Sequence, residues 1–152
     1  MNPSRRRWLV SAAALLAVLC ATGRAQTRRA MTLVELIGYQ RLGDPQLSSD
    51  GRHLLYQLGI ADWKADRRVT HVWRQDIGGG APVQITFGDG ETTPRWSADG
   101  KTILFLRGGQ IYLLPADGGE ARQLTKHTTN ISPALPPSWS PDGSTIYFAA
   151  TD

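Results

Sequence analysis

Apolar and polar residues alternate with a period of two at three places in this chain. Leu54 and Tyr56, Ile103 and Phe105, and Ile146 and Phe148 each fall on one side of a short run. Such alternation marks a β-strand with one buried face, and the face carrying these six side chains is expected to be the buried one. Each run follows an Asp-Gly pair, at Asp50-Gly51, Asp99-Gly100 and Asp142-Gly143. Glycine accepts positive φ there and aspartate can bond nearby backbone amides, so each pair predicts a tight turn between two strands.

The turns belong to a repeat. Pro45-Gln46-Leu47-Ser48-Ser49-Asp50-Gly51 aligns with Pro94-Arg95-Trp96-Ser97-Ala98-Asp99-Gly100 and with Pro137-Ser138-Trp139-Ser140-Pro141-Asp142-Gly143. A second pair of segments lies between them: Val72-Trp73 through Gln84-Ile85-Thr86, and Ile111-Tyr112 through Gln123-Leu124-Thr125. Gly78-Gly79-Gly80 and Asp117-Gly118-Gly119 mark another hairpin turn inside each unit. The unit therefore reads as four short strands in roughly 40 residues, the period of a β-propeller blade, which buries its faces only against its neighbours. An ordinary antiparallel sandwich is the alternative, but it has no reason to reuse one turn and one aromatic at matching offsets. The predicted fold is all-β, an incomplete β-propeller over 45–152 with blades at about 45–86, 94–125 and, in part, 137–152. Trp96 and Trp139 are expected to pack between blades, with stacking on a ligand as the alternative; Leu47 holds that place in the first unit.

Two features interrupt the repeat. Thr32-Leu33-Val34-Glu35 has capping-box spacing, and Leu33, Leu36, Ile37 and Gln40 follow a helical stripe that Gly43-Asp44-Pro45 is expected to stop. A short helix within a 26–44 lead-in follows, closing one face of the first blade or else meeting a partner. Residues 61–68 are an insertion in the first unit relative to the second. They read as a solvated loop, or as a contact to a neighbouring domain or substrate.

Gly 16 and Pro 9 among 152 residues suit many short elements joined by turns and argue against a helical bundle. The net charge of +4 is misleading as a sign of nucleic acid. Arg5, Arg6, Arg7 and Arg24 fall in the first 25 residues with no acid beside them, and the rest of the chain is formally neutral. Those 25 residues have the anatomy of an export signal: a basic start, an apolar run from Trp8 to Ala21 too short to span a bilayer, then small residues before expected cleavage after Ala25. Ser4-Arg5-Arg6-Arg7-Trp8-Leu9 fits a twin-arginine signal, and the general export route stays open. The protein is thus expected to be periplasmic or secreted, without a stable membrane anchor. Cys20, the single cysteine, would be removed with the signal, leaving no disulfide and no cysteine-based zinc site.

Catalytic chemistry is hard to find. There is no Gly-x-Ser-x-Gly elbow to expose a serine nucleophile. His53, His71 and His127 lack an elbow serine or matched carboxylate and read as ordinary strand or loop residues; their spacing fits no metal site. Gly78-Gly79-Gly80 is followed by neither Lys-Ser/Thr nor a helix, so it is no phosphate cradle. No catalytic, cofactor-binding or metal-ligating residue is assigned, and no cofactor is expected.

The Trp-Ser-Pro-Asp-Gly motif of Trp139 to Gly143, with its variants at 96–100 and 47–51, resembles the TolB-type propeller repeat. Its context narrows the likeness: Met31-Thr32-Leu33-Val34-Glu35-Leu36 leading to Asp44-Pro45-Gln46-Leu47, the Asp62-Trp63 segment, and Ile111-Tyr112-Leu113-Leu114-Pro115 with Gly118-Gly119-Glu120-Ala121-Arg122-Gln123-Leu124-Thr125. Over 31–152 the chain is similar to the amino-terminal propeller of exported prolyl oligopeptidase family serine peptidases, of the dipeptidyl-peptidase and acylaminoacyl-peptidase type. The resemblance implies a propeller that gates access of short peptides to a Ser-Asp-His triad in a later α/β-hydrolase domain. The partners it implies are that carboxy-terminal domain, the remaining blades and short peptide substrates, with no nucleic acid. None of the triad is present in this sequence, and Glu35, Glu91 and Glu120 match no motif for binding a substrate amino terminus. The chain is expected to be a truncated product or partial record. The alternative is a non-enzymatic exported propeller that serves as a protein-binding scaffold.

Overall fold

The computed structural model describes residues 29–150. The expected export signal over 1–25, including Cys20, lies outside the described residues. Among those described, no helix is long and apolar enough to cross a membrane.

Residues 33–150 form two four-stranded antiparallel blades and a two-stranded start of a third. A short helix α1 (Leu33–Gly38) comes first. The first blade pairs β1 (Arg41–Leu47), β2 (His53–Asp62), β3 (Arg67–Asp76) and β4 (Val83–Gln84) in chain order. The second repeats the meander with β5 (Glu91–Trp96), β6 (Thr102–Arg107), β7 (Gln110–Pro115) and β8 (Arg122–Gln123), and β9 (Ser138–Trp139) pairs with β10 (Ile146–Tyr147).

The corner between the first two strands is the same device three times. Ser48, Ser97 and Ser140 are buried, and each hydroxyl donates to the aspartate two residues on. The same hydroxyl accepts the backbone N–H five residues on, from His53, Thr102 or Thr145, each at 2.9 Å. The glycine of each corner has φ between 69° and 73°, which a side chain rarely adopts. The hydroxyl holds each carboxylate below its ordinary range, together with the backbone amide two residues beyond; Asp142 is pushed down to about 2. The end of each unit is also built twice. Thr86 Oγ1 accepts from Val72 N at 2.8 Å and Thr125 Oγ1 from Ile111 N at 2.9 Å, while Gln84 and Gln123 bond the carbonyls of those threonines. This is why Gln-x-Thr recurs.

Burial corrects the expected single apolar face. In β6, Ile103, Leu104, Phe105 and Leu106 are all buried. Ile103 and Phe105 join Leu55 and Val72 of the first blade in one core, with Trp96 and Ile85 packed against it. Leu104 and Leu106 join Ile111 and Ile131 in a second core, covered by Trp139 and Ile146 of the third unit. The middle blade is thus packed on both sides, and each tryptophan sits at a seam between units. In β2 Tyr56 of the expected face is buried but Leu54 is half-buried, and it is Leu55, on the opposite face, that joins the core with the second blade; in the third unit Phe148 is exposed. Leu47, at the tryptophan position of the first unit, is 58% exposed.

Three other expectations change. The helix ends at Gly38, so Gly43-Asp44-Pro45 does not stop it but forms a β-bulge within β1, matched by Thr92-Thr93-Pro94 in β5. Asp44 and Thr93 take left-handed φ of 48° and 52° at these bulges. The helix has no buried residue, and Leu33, Val34, Leu36 and Ile37 remain exposed, so the stripe does not close a blade face. Finally, residues 61–68 are not an irregular loop. They lengthen β2 and β3 to ten residues each against six in β6 and β7, giving the first blade a hairpin arm.

Candidate binding cleft

The arm is a continuous ladder, with Ile60 opposite Val69, Ala61 opposite Arg68 and Asp62 opposite Arg67. Its tip is closed by Asp62, whose Oδ1 accepts from Lys64 N at 3.0 Å and Ala65 N at 3.2 Å. Arg68 anchors the arm to the end of α1: its guanidinium donates to the carbonyls of Ile37, Tyr39 and Gly59 at 2.8–2.9 Å. The carbonyls of Ile37 and Tyr39 lie at the end of the helix, where a cation is favoured, and that of Gly59 lies in β2. Arg67 reaches the connection between the blades and donates to Asp89 Oδ1 at 3.1 Å and to its carbonyl at 3.4 Å.

Beneath that contact lies a charged hub. Glu91, the first residue of β5, is 0% exposed. Its Oε2 lies 2.8 Å from His71 Nδ1, across the seam in β3, and its Oε1 accepts from Arg107 Nε at 2.9 Å and Gly88 N at 2.8 Å. Both oxygens are satisfied, as a buried carboxylate requires. Arg107 also lies over the rings of Phe105 and Tyr112 at 5.4 and 4.8 Å. The carboxylate can only accept, so His71 Nδ1 bears the proton of this bond. A second ionic link between blades joins the bulges, Arg95 Nη1 to Asp44 Oδ2 at 2.7 Å.

A cleft of about 670 Å³ opens between the arm and the 87–89 connection, and its lining includes Ile60, Val69, His71, Gln84, Trp63 and Phe87. It holds apolar surface, two aromatic rings and a few polar groups, which suits binding rather than bond breaking. Among the described residues no group of three or more His, Cys, Asp and Glu could hold a metal ion.

The three histidines have separate fates. His53 pairs with Asp76 at 2.6 Å, His127 sits 3.1 Å from Thr129, and only His71 joins a buried network. Glu35 lies in α1 and Glu120 in the stretch between β7 and β8. Glu91, given no role from the sequence, is the centre of the hub. Twenty residues and the strand β4 separate it from His71, and the first-unit counterparts of Glu91 and Arg107, Leu42 and Leu58, are apolar, so the repeat carried no signal for it.

No protein-family model matches the chain. It is 31% identical over 125 residues to the uncharacterized peptidase YuxL of Bacillus subtilis, covering 78% of this chain and 19% of that protein. The dipeptidyl-peptidase 5 of Trichophyton equinum is 30% identical over 98 residues, 58% of this chain and 13% of that one. The enzyme of the same name from Porphyromonas endodontalis is 28% identical over 127 residues, 79% and 18% of the respective chains. The chain is a homologue of peptidases. It spans less than a fifth of these curated relatives, and its resemblance to the amino-terminal propeller portion of prolyl oligopeptidase family peptidases is thereby borne out. The fold agrees: the acylaminoacyl peptidase of Pyrococcus horikoshii superposes with a TM-score of 0.61 at 20% identity, over 73% of this chain and 17% of that one.

Proposed function

We propose that this chain is the substrate-gating propeller portion of an exported serine exopeptidase acting on short peptides. The Ser-Asp-His hydrolase domain would be carried by polypeptide outside this sequence. The observation that carries the reading is the 31% identity to a peptidase over 78% of this chain, within 19% of that relative's length. The stacked blades support it, since a propeller contributes enclosure and selection while a separate domain contributes the nucleophile. The basic, apolar and small-residue sequence of the first 25 residues supports export.

The test is recovery of the natural polypeptide from cells with an antibody raised against residues 33–150, followed by a serine-reactive phosphonate probe. A labelled product that releases dipeptides or acylated residues from short peptides is the expected result. A recovered polypeptide that takes no label overturns the peptidase reading. An amino terminus at Gln26 is expected on sequencing, and retention of Met1 would overturn export by signal cleavage.

A further inference from the structure

Strand β10 is paired on one side only. In the two complete blades the second strand runs between the first and the third, whereas β10 bonds β9 and, among the described residues, nothing on its other edge. The N–H and C=O of Thr145 turn toward Ser140 and the C=O of Ala149 toward Ser132, so by alternation those of Ile146 and Phe148 turn to the free edge. Beside that edge lies an apolar groove of about 480 Å³, lined by Ile111, Leu113 and Leu124 of the second unit and by Trp139, Ile146 and Phe148 of the third. Residues 144–149 carry no charge and no proline, a composition that recruits another strand when an edge is left open.

We propose that this edge and groove take one further strand of the same polypeptide, antiparallel to β10, with an aromatic residue facing Phe148 and an aliphatic one, two residues on, facing Ile146. The finished seam between the first and second units identifies the occupant, because the corresponding place there is filled by β7. Tyr112 lies opposite Phe105 and stacks on it at 5.7 Å between ring centroids, and Leu114 lies opposite Ile103. Under that strand Phe105 is fully buried, while Phe148, its equivalent in the third unit, is 42% exposed. The facing walls differ in kind. Leu113 stands where the first unit has Arg74, whose guanidinium donates to the carbonyl of Ala116 just past β7. With leucine there, the end of the new strand is held by apolar contact, so an aliphatic residue is expected at the place of Ala116. In the second unit a tight Gly108-Gly109 turn joins β6 to β7, both glycines at positive φ, and a strand delivered to β10 in the same way comes from its own chain. The curated relatives, of which this chain spans less than a fifth, have the length to carry it. The inference rests on the blade repeat and not on any hydrolytic activity.

The test uses the natural polypeptide, expressed whole, in two measurements. Hydrogen exchange read at single residues should show the Ile146 and Phe148 amides slowed about 100-fold or more against unstructured rates, as amides inside a ladder are. Phe148→p-benzoylphenylalanine and, from the opposite wall, Leu124→p-benzoylphenylalanine should each crosslink on irradiation, within one molecule, to a single segment beyond residue 152 bearing the order aromatic, any, aliphatic, any, aliphatic. The Leu124 variant keeps the test decisive if the Phe148 variant does not fold. Tyr147→p-benzoylphenylalanine, whose side chain alternates to the other face, should label that segment roughly tenfold less. Ile146 and Phe148 amides that exchange at the unstructured rate overturn the proposal. Adducts confined to a second copy or to a different protein overturn it too, as do adducts to a segment without that alternation. Phosphonate labelling is read separately, so its loss with these adducts retained would sink the peptidase reading and leave the strand in place.

Discussion

His71 Nδ1 and Glu91 Oε2 meet 2.8 Å apart across the seam between the first and second blades, one on β3 and the other at the start of β5. The carboxylate is fully buried, and it also carries Arg107 and the amide of Gly88. Removing one partner of a buried ion cluster typically costs about 3–5 kcal/mol because the others are left uncompensated. With the Arg107 side chain 30% exposed, water compensates part of the loss, so Glu91→Ala should cost about 3 kcal/mol at the low end of that range. The urea midpoint checks this, and a loss under about 1 kcal/mol, the range of exposed sites, would show that the cluster contributes little.

Gly88 offers an independent approach to the same cluster. Its φ is not in the left-handed region, so its backbone admits alanine, but a Cβ there would lie 2.3 Å from Glu91 Oε1 and 2.6 Å from Arg107 Nε. Gly88→Ala is expected to cost about 1–3 kcal/mol, as overpacking of a closed site does. The cost should shrink when Glu91→Ala is already present, and a double-mutant cycle with no coupling would contradict the collision.

The serine corners make a prediction in pH. Asp142 titrates at about 2 in the fold against an ordinary 3.8, with the Ser140 hydroxyl as the largest cause. Because the folded value is the lower one, its contribution to stability is complete above 3.8 and is lost as pH falls through about 2. Ser140→Ala should raise the Asp142 value toward 3.8 in a carboxyl-carbon NMR titration. An unmoved value would rule out the hydroxyl as the cause. Ser97→Ala leaves Thr102 N–H without its buried acceptor and should cost about 1–3 kcal/mol.

The two seam tryptophans differ in one atom's fate. Trp96 Nε1 donates to Gln46 O at 3.3 Å, whereas Trp139 Nε1 is buried without a partner among the described residues. Both indoles are only partly buried, so Trp96→Ala should cost about 2–3 kcal/mol, below the 3–5 typical of a fully buried ring. Trp139→Phe relieves an unsatisfied donor and should cost less than Trp96→Phe in thermal unfolding. The reverse order would contradict this assignment.

What could be read from the residues was whatever repeats. The blades, their corners and the seam tryptophans all recur at matched offsets, and the corners are held by local bonds within a few residues of the motif. The roles of Ser48, Ser97 and Ser140 were missed because the Asp-Gly pair alone already explains a turn. The arm reads as a loop in the sequence because nothing in the second unit corresponds to residues 61–68, although Ile60 and Val69 are paired in the ladder near its tip. The exposed helix was misjudged because a stripe of apolar residues states what could be covered, not what covers it. The hub escaped notice for the opposite reason: Glu91, His71 and Arg107 are brought together by strand register and blade stacking, which no single stretch of sequence encodes.

Leu104 and Phe105 are consecutive in the chain but answer to different neighbours, one to the third unit and the other to the first. Strand β6 can therefore exchange side chains of similar size but not gain or lose a residue. A single insertion would swap the two sets of side chains and misfit both seams at once.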